Sequence, residues 1–145
     1  MITFQFSRRP GQGTPSGFDL GDIEITGPSR SARSAGQLPD QGMMIFPSLA
    51  LLLDQLRRPL ASGKGSVVFY GVDSSFKARF SVVKGSVTVS DDAGEIGRVA
   101  APDFVAALLA ATDGFTAEEL VRIPEADPAR ADLVDAVADF RELAR

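Results

Sequence analysis

Ser66-Val67-Val68-Phe69-Tyr70-Gly71-Val72, Lys77-Ala78-Arg79-Phe80-Ser81-Val82-Val83-Lys84-Gly85-Ser86-Val87-Thr88-Val89-Ser90 and Glu95-Ile96-Gly97-Arg98-Val99 decide the fold. Ala78, Phe80 and Val82 alternate with Lys77, Arg79 and Ser81, the period of a strand with one buried and one wet face. Lys84-Gly85 is the two-residue connection that closes a tight hairpin. The whole stretch therefore reads as an antiparallel meander of four strands, 66–72, 77–83, 86–90 and 95–99. Val67 to Tyr70 is apolar on both faces, which predicts a central position for that strand.

Working outward from the meander, Ile2, Phe4 and Phe6 alternate with Thr3, Gln5 and Ser7, a first strand. In Phe18-Asp19-Leu20-Gly21-Asp22-Ile23-Glu24-Ile25 the apolar phase slips by one at Gly21-Asp22, which predicts a second strand with a β-bulge. Residues 27–42, rich in Ser, Gly, Pro and Arg, have no periodicity and read as a long connection, left open as to its order. Leu49, Leu52, Leu53, Leu56 and Leu60 recur at helical spacing, with Ser48 placed to cap and Pro59 to stop. After the meander, Pro102 suits the first turn of a helix reaching Thr112, which Gly114 would end. Thr116 with Glu119 forms a capping box and Phe115 with Leu120 a hydrophobic staple, the start signal of a second helix. Asp127-Pro128 opens a third, with Leu133, Val137 and Phe140 on its core side. The expected architecture is α+β: a mainly antiparallel sheet of about six strands, one helix inserted after the second strand and three helices at the C-terminus, with residues 1–145 as one domain.

Composition removes whole classes of chemistry. There is no cysteine, histidine, tryptophan or asparagine, so thiol catalysis, thiolate metal sites, disulfides and the usual neutral-pH general base are absent together. The N-terminus puts its Arg8-Arg9 after an alternating run rather than before an apolar one, unlike a secretory signal. The most apolar stretch, Met43 to Leu53, is interrupted by Pro47-Ser48 and is shorter than the ~20 residues of a spanning helix. A cytoplasmic protein without membrane contact is expected. Twelve Arg against three Lys, with abundant alanine, is a habit of high-GC bacterial genomes.

Charge is unevenly placed. Residues 1–98 hold 11 basic and 9 acidic side chains, a net of +2, whereas residues 99–145 hold 4 and 10, a net of −6. Nucleic-acid affinity comes largely from neutralising phosphates, so this balance argues against such a ligand and favours a basic protein partner.

Three clusters carry candidate chemistry. Asp91-Asp92-Ala93-Gly94-Glu95 offers three carboxylates to a cation but also has the residues a hairpin turn needs, and it lacks calcium-loop spacing. Asp73, Ser74 and Ser75 sit after an apolar strand and could be a base and a nucleophile, or an Asx-type turn, with only Lys77 near as a helper. On the last helix Asp132, Asp135, Asp139 and Glu142 follow spacings of three, four and three, forming one acidic stripe. Asp135 facing Asp139 costs about a few tenths of a kcal/mol. The stripe reads either as a solvated face or as a surface for a basic partner.

The helix Ser48-Leu49-Ala50-Leu51-Leu52-Leu53-Asp54-Gln55-Leu56 followed by Phe69-Tyr70-Gly71-Val72-Asp73-Ser74-Ser75-Phe76 resembles small uncharacterised actinobacterial proteins, some of them similar to immunity proteins of polymorphic toxin systems. The resemblance covers the middle third of the chain and carries over no functional residue. It implies a protein-binding module, an immunity-type inhibitor that occludes a basic toxin. No catalytic residue, metal or cofactor is assigned; partner-binding candidates are the acidic stripe and Asp73-Ser74-Ser75. The alternatives are a small hydrolase or transferase centred on Asp73, Ser74 and Ser75, or a structural subunit of a larger assembly, and the oligomeric state is left open.

Overall fold

The computed structural model describes all 145 residues. Strands β1 (Thr3–Arg8), β2 (Leu20–Thr26), β3 (Ser31–Arg33) and β4 (Met43–Met44) make one antiparallel sheet in which β2 pairs with all three others. Helix α1 (Ile45–Ser62) leads into a second sheet, the meander β5 (Lys64–Tyr70), β6 (Lys77–Val83), β7 (Ser86–Asp91) and β8 (Gly94–Ala100) in sequential order. Helix α2 (Ala101–Glu119), a 3-10 turn, and α3 (Pro128–Arg141) complete the chain.

One continuous apolar core joins these parts. Phe4 and Phe6 of β1, Ile23 and Ile25 of β2, and Ala78, Phe80 and Val82 of β6 point inward at the expected period of two. Leu49, Leu52, Leu53 and Leu56 present one face of α1. Phe104 of α2 meets Phe4 from the first sheet and Phe80 from the second edge to face, with centroids 5.6 Å and 5.8 Å away. Residues 34–42 are pinned back by Arg9, whose guanidinium forks donate to Asp22 (2.9 and 3.0 Å) and to Asp40 (2.8 Å each). The Lys84-Gly85 turn has both residues at positive φ, 50° and 78°, as the hairpin requires.

The α+β class is as expected, but the strands divide into two sheets instead of one of about six. The short β3 and β4, unmarked in the sequence, make this difference by completing the first sheet beside β2. β5 is an edge, not a central strand. The meander gives it one neighbour, α1 covers its inner face where Phe69 is buried, and Val68 and Tyr70 are left 43% and 52% exposed. β2 has no bulge: Gly21 pairs with Arg8 and Asp22 with Ser7 in regular register, and Phe18 lies outside the strand. Gly21 occupies the inward position because a Cβ there would run into the Ser7 carbonyl and Ile45. The register shift lies instead at Val89/Ser90.

Helix ends also differ. α1 begins three residues before Ser48, whose hydroxyl accepts the Val72 N–H at 2.8 Å, and it passes through Pro59 to a left-handed Gly63. Gly114 does not end α2, so the two helices expected between Pro102 and Pro124 form one helix and a 3-10 turn. Thr116 lies inside that helix and donates to the Asp113 carbonyl at 3.2 Å, leaving no capping box. α3 opens as read, with Asp127 accepting the Ala129 N–H at 3.0 Å and Pro128 in the first turn, although Ala136 rather than Val137 is fully buried.

Candidate partner-binding cleft

α1 and α3 pack side by side, and with residues 17–18 they enclose a cleft of about 660 Å³. Its apolar part is Met44, Pro47, Ala50 and Ala136, half-buried or buried. Exposed carboxylates surround it: Asp132, Asp135 and Asp139 from α3 and Asp54 from α1. Phe18, 77% exposed, also lines it.

An exposed aromatic ring is held there by local chemistry. The Gly17 N–H donates to Asp127 Oδ2 at 2.8 Å, the same carboxylate that caps α3. A Cβ on Gly17 would overlap Ala129, so only glycine permits the approach. On the other side of Phe18, the buried Asp19 carboxylate takes Arg8 Nε at 2.6 Å and the Ser16 N–H at 3.1 Å. Phe18 is thus fixed between two anchored residues.

Arg57 Nη1 reaches Asp139 at 3.6 Å, a half-exposed pair of the kind that contributes little in water. Glu142 departs from the other stripe residues. It lies in a neighbouring hollow with Arg57 and Arg58, 3.6 Å from Arg145. The cleft therefore holds three of the four stripe carboxylates plus Asp54, which the sequence reading missed. The available signal was that Pro47, Ala50 and Asp54 form a non-leucine stripe at helical spacing in a leucine-rich helix. Chemically, apolar walls rimmed by carboxylates suit a long cationic side chain, which buries its methylenes and keeps its head among the anions. A guanidinium can in addition lie against the Phe18 ring. No three of the carboxylates are arranged to hold a metal ion.

Asp73, Ser74 and Ser75 are not brought to this cleft. Asp73 is exposed with φ of 58°. The Ser74 hydroxyl donates to the Gln41 carbonyl at 2.7 Å and accepts the Phe76 N–H at 3.0 Å, which fixes the turn between β5 and β6. Ser75 is exposed on a different groove, with Arg30 and Lys77. The acidic turn between β7 and β8 is engaged locally: Asp91 with Arg30 at 2.9 Å, and Asp92 with Lys77 at 3.0 Å and Arg79 at 2.9 Å. The Lys77 hydrogen bond, followed by that of Arg79, holds the Asp92 carboxyl below the usual carboxylate range.

No protein-family model matches the chain, and no curated protein or solved structure matches it either. No helix is long and apolar enough to cross a membrane.

Proposed function

We propose that the chain is a protein-binding module, an immunity-type inhibitor that occludes a basic protein partner by receiving its Arg or Lys side chains in the α1–α3 cleft. The observation that carries this reading is the convergence of Asp54 with Asp132, Asp135 and Asp139 around one apolar hollow, beside a fixed and exposed Phe18. The mechanism is steric. Complementary charge accelerates encounter, and the filled cleft keeps the two surfaces together. Three features on one site, an aromatic ring, apolar walls and exposed carboxylates, match what arginine-bearing anchors use at interfaces. The hydrolase or transferase alternative has weaker support, since Ser74 spends its hydroxyl on the backbone.

Affinity capture from the native host tests this with two baits: the natural chain, and a variant carrying Asp54→Asn, Asp132→Asn, Asp135→Asn and Asp139→Asn. The natural chain should retain one basic protein, and its on-rate should fall as salt rises. The variant should keep its melting temperature, associate about tenfold more slowly, and lose most of the salt dependence. An unchanged on-rate, or a captured partner that is acidic, rules the reading out.

A further inference from the structure

A second surface lies along β1, remote in sequence from the acidic stripe. β1 pairs with β2 on one side only. The Arg9 N–H donates to the Leu20 carbonyl at 2.9 Å, and Ile23 gives both its backbone groups to Ser34 on the opposite side. In an antiparallel ladder bonded pairs alternate, so Thr3, Gln5 and Ser7 bond to β2, while the N–H and C=O of Phe4, Phe6 and Arg8 point to the open edge. These groups form a row with a repeat of about 6.8 Å, the spacing that only another extended backbone matches.

The edge is not bare. A cleft of about 460 Å³ runs between β1 and α2 and is lined by Phe4, Phe6, Arg8, Gly114, Glu118 and Glu119 among others. Gly114 is an exposed mid-helix glycine without positive φ, and a Cβ built on it meets nothing within 4 Å. Glycine there weakens the helix relative to alanine, and no contact within the chain requires it. Its absent side chain keeps the cleft open. Two side chains that line the cleft also carry a buried polar atom without a hydrogen-bond partner: Arg8 Nη2, on a side chain nine-tenths buried, and Glu119 Oε1, whose nearest cation, Arg122, is 3.9 Å away. Such orphans are rare in folded proteins, and here one donor and one acceptor belong to residues of the same cleft.

We propose that the cleft between β1 and α2 is a strand-addition site for an extended, cationic segment of a partner protein. The segment pairs with Phe4, Phe6 and Arg8, passes beneath Gly114, and sets a basic side chain against Glu118 and Glu119. A second copy of this chain fits less well. A two-fold antiparallel contact sets the Phe4 end of one strand opposite the Arg8 end of the other, and residues 1–7 carry no lysine or arginine to place against Glu118 and Glu119. This site is independent of the α1–α3 cleft.

The test uses the full chain and an end-blocked peptide of alternating lysine and valine, six residues long, with amide exchange followed residue by residue in NMR. At about 1 mM peptide, where even weak sites fill, exchange at Phe4, Phe6 and Arg8 should slow about tenfold or more. Gly114→Leu should abolish that protection while its melting temperature stays level or rises. Asp132→Asn with Asp135→Asn should leave the protection unchanged, which separates this surface from the acidic cleft. Absence of protection at the three amides, protection that survives Gly114→Leu, or protection caused by self-association without peptide each overturns the proposal.

Discussion

Arg9 holds two aspartates at once, and this makes it the side chain with the clearest pH signature. The Arg9 hydrogen bond is the largest cause that holds both Asp22 and Asp40 below the usual carboxylate range; Ser34 adds to it at Asp22 and the Gly42 N–H at Asp40. A depressed folded-state pKa contributes stability that is complete above the unfolded value and lost as pH falls through the folded one. For these two groups the loss starts near the ordinary carboxylate value of about 4 and proceeds downward. Arg9→Met should therefore flatten the fall of melting temperature between about pH 4 and pH 2, and parallel acid limbs in variant and natural chain would refute the clamp. Leu52 and Phe80, both buried, were readable from local periodicity. Asp54 was not, since its meaning depends on a helix more than 70 residues further along the chain.

Whole strands and helices were legible where the signal is local: the alternation of β1 and β6, the Lys84-Gly85 turn, the Asp127-Pro128 start of α3. They misled where packing overrides it. Thr116 and Glu119 spell a helix start, yet Phe115 packs at 6.5 Å from Phe6 and 5.4 Å from Phe46, and that anchoring carries α2 straight through. The doubly apolar run of β5 suggested a central strand, but periodicity cannot count neighbours. As an edge, β5 leaves Val68 and Tyr70 outward beside unpaired backbone, an arrangement that natural proteins usually blunt with lysine. Val68→Lys should lengthen the lag before turbidity in concentrated solution and leave the melting temperature within about 1 °C, since the position is a surface one. An unaltered lag would locate any aggregation elsewhere.

Across the molecule, Phe104 is the residue on which the two sheets meet. Its ring touches Phe4 and Phe80 together, so the sheets share side chains and not merely a linker. Phe104→Ala should cost roughly 3–5 kcal/mol and accelerate amide exchange in β1 and β6 alike. Acceleration in one sheet only would mean that they open separately. Nothing in the sequence marked this junction, because it joins side chains whose elements are each legible alone.

The hydrogen bond from Gly17 to Asp127 spans 110 positions of the chain. It ties the setting of Phe18 to the order of synthesis. On a growing polypeptide the first sheet and α1 can assemble early, but Phe18 is anchored only on its Asp19 side and the acidic wall holds only Asp54 until α3 has left the ribosome. The cleft is therefore completed only by the end of the chain, and contacts of such long sequence separation close late in folding. A chain stopped before Asp127 lacks the α3 wall of the cleft and leaves open to water the side of α1 that α3 covers in the whole molecule.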